Sequence, residues 1–198
     1  MTALRLKDAV SNMSTENEMR STAYELIRSK SFILGKRKLS SGKESNHYFD
    51  MKRSMLDPRG ANILASLIFD LLPDTRIDYV GGLELGAVPL IGPLVMLSYN
   101  KGRPIPGLIV RKKPKEHGTE RLVEGADDLR GKNVVVVDDV TTTGGSAMKS
   151  IKALQAEGAN VVLIISILDR EEGATELYER EGLAFNPLFK ASQFLNAR

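Results

Sequence analysis

The residue types most capable of chemistry stand together in VVVVDDVTTTGGS, residues 134–146. Four valines read as a strand buried on both faces. Asp138 and Asp139 follow at its end, then Val140, Thr141, Thr142 and Thr143, then Gly144, Gly145 and Ser146, where a helix begins. Threonines followed by glycines let the backbone curl, so that amide hydrogens and hydroxyls converge on one anion at the positive end of that helix. The result is a phosphate cradle. Acids at a strand end are unsuited to packing, but they can accept hydrogen bonds from sugar hydroxyls or help to place a metal. An acid pair beside a phosphate loop therefore points to a sugar phosphate. A plain helix cap would need one Thr or Asp and leaves most of the segment unexplained. A Walker B reading fails because GxxxxGK[ST] occurs nowhere, and GGLELG at 81–86 lacks the GxGxxG spacing of a dinucleotide site.

Positive charge gathers in two places, at Lys36, Arg37, Lys38 and Lys43 and at Arg111, Lys112, Lys113 and Lys115, each beside glycines and turn formers. Such patches suit a small polyanion, although a single charge run is more often a solvated loop. Residues 111–125 are basic, polar and without apolar periodicity. They read as a long mobile loop, a candidate lid whose charge would stabilise a departing diphosphate.

These groups need a frame. Residues 79–82, 107–111, 133–138 and 160–168 are expected strands, and 88–100 and 145–157 expected helices. Valine and isoleucine runs alternating with helices imply a parallel sheet with right-handed crossovers, an α/β fold in which ligands sit beyond the carboxyl ends of the strands. Upstream, Asp57 and Pro58 form a cap and first turn. Ile63, Leu64, Leu67, Ile68 and Leu71 continue as an apolar stripe to about Leu72 and Pro73. Residues 32–50 read as an irregular hairpin or accessory layer. A helix is expected from near Glu16 to about Ser29, after a partly ordered tail over residues 1–15.

DDVTTTGGS behind an apolar strand resembles the signature with which type I phosphoribosyltransferases bind 5-phosphoribosyl 1-diphosphate (PRPP). The resemblance implies that Asp138 and Asp139 hold the ribose hydroxyls and that the loop from Thr141 to Ser146 holds the 5-phosphate. RKKPKEHG, residues 111–118, is similar to the catalytic loop of the orotate phosphoribosyltransferases. It implies Arg111, Lys112, Lys115 and His117 as PRPP and diphosphate contacts, with Lys115 the principal catalytic lysine. LDREEG, residues 168–173, resembles the family's LDRxExG element, in which the arginine binds the orotate carboxylate, here Arg170, with Thr142 also toward the base. SSGKESNHYFD, ending at Asp50, is similar to the family's SGxxSxxY segment and offers Tyr48 and Phe49 as stacking partners. The chain departs from some members at Ser40 and Leu85, where they carry lysines, and Glu84 with nearby backbone amides is a candidate to replace those contacts.

The family's fold is a central parallel sheet flanked by helices with a small N-terminal hood, which would make residues 1–198 one domain with hood elements over about 16–50 and a core over about 58–180. The implied reaction joins orotate to the ribose of PRPP, giving orotidine 5′-monophosphate and diphosphate in pyrimidine synthesis. Mg²⁺ would be bound mainly through PRPP and water. A homodimer with shared active sites is implied as well. A phosphoribosyltransferase for uracil or a purine, a PRPP-sensing regulator that binds nucleic acid, and a non-catalytic scaffold on the same fold are the competing readings.

Composition agrees. A chain of 198 residues, 42% hydrophobic, can bury one sizeable core. Lys and Arg outnumber Asp and Glu by only 28 to 25, which gives no argument for nucleic acid. The absence of cysteine removes disulfides, thiolate metal sites and cysteine nucleophiles. No apolar run approaches the roughly 20 residues of a membrane span. The first residues, with Asp8, Glu16 and Glu18, fit no secretory signal. The expected compartment is the cytosol.

Overall fold

The computed structural model describes residues 3–38, 44–114 and 121–196. The chain opens with α1 (Ala3–Lys30), followed by the strands β1 (Phe32–Lys38) and β2 (Glu44–Phe49), the single turn α2 (Lys52–Met55) and α3 (Pro58–Asp70). Next come β3 (Tyr79–Leu83), α4 (Val88–Asn100), β4 (Gly107–Val110) and the two-residue β5 (Val123–Glu124). The second half holds β6 (Asn133–Thr141), α5 (Gly145–Ala156), β7 (Asn160–Asp169), α6 (Ala174–Arg180), β8 (Phe185–Lys190) and α7 (Ala191–Leu195).

Six strands form one sheet in the order β5-β4-β3-β6-β7-β8, parallel throughout except for β5, which runs antiparallel to β4. Successive valines of β6 turn to opposite faces. Val135 and Val137 join the larger apolar cluster with α3 and α4, while Val134 and Val136 join the smaller one with α5 and α6. All four are fully buried, which is why a strand with period-two geometry reads as an unbroken apolar run. β1 and β2 pair as a separate antiparallel hairpin. Among the described residues no helix is long and apolar enough to cross a membrane.

The structure revises several boundaries. α1 begins at Ala3 rather than near Glu16, because no Gly or Pro interrupts residues 3–30. From the second half of that helix Ala23 and Ile27 pack into the core, and Arg20 Nη1 donates to the Leu188 carbonyl oxygen at 2.6 Å. Residues 121–125 are not all loop: Arg111 N–H donates to the Leu122 oxygen at 2.8 Å, and β5 pairs with β4. β8 carries Pro187, a residue a central strand could not hold; β8 stands at the sheet edge, where a missing N–H is tolerated. Asp57 caps α3 as its sequence implies, its Oδ1 accepting from the Arg59 and Gly60 amides at 3.0 Å.

Candidate active site

β3 is flanked by β4 on one side and by β6 on the other, so the chain reverses its direction of winding there. In open α/β sheets such a reversal leaves a crevice at the carboxyl ends of the strands. A cleft of about 380 Å³ lies at that point, walled by Leu83, Glu84, Leu85 and Gly86 after β3 and by Asp138, Asp139, Val140 and Ser146 at the end of β6 and the start of α5. Lys52 and Lys112 complete its lining.

β6 does not stop at Asp138. It stays paired with β7 through Thr141, opposite Asp169, so both acids belong to a rigid strand. Asp138 is buried and Asp139 half-buried. Asp138 Oδ1 accepts from the Asp139 amide at 3.0 Å, and Asp139 Oδ1 from the Val140 amide at 2.9 Å. Burial first, and then the neighbouring Asp139 charge, push the Asp138 carboxyl up to about 8. Gly86 closes against the pair: a Cβ there would stand 2.6 Å from Asp139 Oδ1 and 3.1 Å from Asp138 Oδ1. Gly86→Ala should therefore displace the acids, with a loss on the order of 100-fold in kcat/KM. Steady-state kinetics on a variant of unchanged circular dichroism would measure it.

After the buried Thr141, residues 142–144 turn into α5 through Gly144, whose φ of +82° lies in the left-handed region. No side chain caps α5, so its first amide hydrogens remain available to an anion. Tyr178 of α6, fully buried, lies beneath the turn with its hydroxyl 3.4 Å from the Gly144 carbonyl oxygen. Thr143, Gly145 and Ser146 are exposed and Thr142 half-buried, so the turn is open to solvent.

One strand further along, Arg170 leaves the end of β7 and donates its amide hydrogen to the Thr141 oxygen at 2.8 Å. Its guanidinium is buried, with Nη2 at 2.9 Å from Glu172 Oε1 and 3.3 Å from His47 Nε2 of the hairpin. Burial, and then the Arg170 charge, hold the His47 imidazole below its ordinary pKa, with Glu172 acting in the opposite direction. A neutral ring can accept from the guanidinium. Tyr48 points to the other side of β2 and is half-buried. Phe49 differs from the expectation of a stacking partner: its ring is 4% exposed and packs 5.0 Å from Phe32 and 5.5 Å from Phe194, because period two turns it to the core face with His47.

Residues 54–185 match the model of the phosphoribosyl transferase domain family. The orotate phosphoribosyltransferase of Bradyrhizobium diazoefficiens is 50% identical over 186 residues, covering 92% of this chain and all of that protein. The chain belongs to the orotate phosphoribosyltransferase family. The orotate phosphoribosyltransferase of Mycobacterium tuberculosis, solved with Fe(III) dicitrate, superposes with a TM-score of 0.78 at 37% identity, covering 89% of this chain and 98% of that one. The same protein solved with PRPP gives a TM-score of 0.74 at 34% identity, with the same coverage.

Set beside the family signatures, the structure gathers Asp138, Asp139, Val140 and Ser146 around one cleft with Lys112, and puts Arg170 at the adjoining strand end. Arg111 is half-buried, its Nε donating to the Lys113 oxygen at 3.3 Å. Lys115 and His117 lie outside the described residues, as do Ser40 and Lys43. Two contributors, His47 and Lys52, escaped the sequence reading, whereas Glu84 stands in it as a candidate substitute for the family lysines replaced at Ser40 and Leu85. Glu84 accepts the Lys112 amide hydrogen at 2.9 Å and so fixes the root of the basic segment. His47 reaches Arg170, and Lys52 reaches the cleft. Neither is marked by local spacing, because each acts across a large separation in sequence.

Proposed function

We propose that the chain transfers the phosphoribosyl group of PRPP to orotate, yielding orotidine 5′-monophosphate and diphosphate. The observation that supports this reading is the bond between the Arg170 amide and the Thr141 oxygen, which puts Arg170 one strand from the acid pair and the turn into α5; a guanidinium there suits a carboxylate. A base with an acidic substituent would then meet a ribose held beside it.

Amide hydrogens and hydroxyls of Thr142, Thr143, Gly144, Gly145 and Ser146 hold the 5-phosphate. Asp138 and Asp139 accept from the ribose hydroxyls. As the bond at ribose C1 stretches, Lys112, Arg111, Lys115 and His117 stabilise the charge growing on the diphosphate. The orotate ring nitrogen then attacks C1. Arg170 and Thr142 orient the base and Tyr48 flanks it, which removes part of the entropic barrier. Among the described residues no three metal-ligating side chains converge. Asp138 and Asp139 present hard oxygen donors at the cleft, so they would stand beside an Mg²⁺ bound mainly through PRPP and water, which would neutralise diphosphate charge. A cytosolic homodimer sharing active sites completes the reading.

The test is to mix the protein with PRPP, Mg²⁺ and orotate and to follow loss of orotate absorbance and release of diphosphate, with uracil, hypoxanthine and adenine in parallel. Turnover with orotate alone is expected. Preference for another base would reassign Arg170.

A further inference from the structure

Among the described residues the cleft is lined by three acidic side chains, Glu84, Asp139 and Asp138, the last holding its proton to about pH 8 in the free protein, and by two basic ones, Lys52 and Lys112. A diphosphate entering it is repelled unless positive charge meets it on more than one side. Lys112 hangs on an exposed segment after β4, held at its amide by Glu84. Leu85, 69% exposed at the cleft wall, supplies no charge. Lys52 differs from Lys112 in standing on α2, a helical turn whose Ser54 and Met55 are buried in the framework.

Its Nζ lies 3.2 Å from Asp50 Oδ1, while its side chain remains 52% exposed. Partial burial works against the ammonium, but the hydrogen bond and charge of Asp50, with Tyr48 and Asp139, outweigh it and hold the pKa above the ordinary lysine value. Lys52 thus enters the cleft charged. Asp50 has a second cation in Arg53, whose Nε is 3.7 Å from Oδ2. Lys52 can therefore turn toward a ligand without leaving the Asp50 carboxylate bare.

We propose that Lys52 is a diphosphate-binding residue of the transfer site, its ammonium donating to non-bridging oxygens of the PRPP diphosphate from the framework wall beside Leu85. This assignment rests on the reading of the cleft as a PRPP site. It gives the diphosphate a cation positioned by packed structure, so that binding does not depend on the basic segment alone.

Calorimetric titration, in Mg²⁺, of wild type, Lys52→Met and Lys52→Arg with PRPP, diphosphate and ribose 5-phosphate separates the possibilities. Loss of one charge-assisted contact should weaken PRPP and diphosphate by about 10- to 100-fold in Lys52→Met. Ribose 5-phosphate, which lacks the diphosphate, should change by less than about twofold. Lys52→Arg should recover most of the loss, and in kinetics the KM for PRPP should rise while that for orotate stays put. Equal weakening of ribose 5-phosphate would reveal a general disturbance of the cleft, and unchanged PRPP binding would remove Lys52 from the site; either overturns the assignment. Wild-type protein that binds none of the three ligands would instead overturn the transfer reading, and the role of Lys52 with it.

Discussion

Asp138→Asn is expected to make the ligand-free protein more heat-stable at about pH 8 while lowering kcat/KM for PRPP by on the order of 100-fold or more. The two effects have one cause. Asp138 is buried beside Asp139, and its carboxyl holds its proton to about pH 8. A group whose pKa is raised by folding contributes stability that is fully present below its unfolded pKa and is lost as pH rises through the folded value. In the wild type this contribution fades from about pH 4 to about pH 8; a neutral Asn has no such slope. Melting temperatures of variant and wild type should therefore converge near pH 4 and separate in favour of the variant as pH rises. A gap that closes with rising pH would show that the acid is stabilised as the anion in the free protein. Ribose hydroxyls donating to Asp138, and the cation that accompanies PRPP, favour the anion and should expel its proton. Calorimetry near neutral pH in buffers of different ionisation enthalpy should show more proton release on PRPP binding in wild type than in Asp138→Asn.

Arg170→Ala should raise the KM for orotate by about 100-fold and leave PRPP binding nearly unchanged, since a planar guanidinium grips a carboxylate through paired, charge-assisted hydrogen bonds. Lys in its place should recover only part of the loss, because an ammonium cannot reproduce the fork. Burial of Arg170 adds a structural consequence. Its side chain is 6% exposed and pairs with Glu172, so truncation leaves that carboxylate alone in a partly covered site and should cost some stability. It also removes a positive charge from beside His47. The imidazole pKa, held down by burial and then by Arg170, should rise toward its ordinary value, which proton NMR of the ring can follow. Equal losses for orotate and PRPP would sink the assignment of Arg170 to the base.

Much of this protein was legible in its sequence where structure follows from local chemistry. Asp57 before Pro58 caps a helix because a carboxylate and a fixed φ satisfy the first turn wherever they occur. The α4 span 88–100 and the valine run of β6 appeared with nearly their true bounds, since buried strands and helices in an α/β sheet are apolar throughout. The acid pair and the glycine turn into α5 were legible as one candidate site because one continuous segment supplies both. Tertiary structure decided what depends on distant partners. The acids lie within β6 rather than at its end because pairing with β7 continues to Thr141, and β8 accepts Pro187 because no described strand pairs with its outer side. Phe49 packs into the core while its neighbour Tyr48 does not, a choice made by which hairpin face meets Phe32 and Phe194. Lys52 and His47 joined the candidate site only when a one-turn helix and a hairpin met the sheet's carboxyl edge, and the same packing gave Glu84 its partner in the Lys112 amide. A sequence records the types and neighbours along the chain; the charges that face one another across a cleft depend on the packing of elements dozens of residues apart.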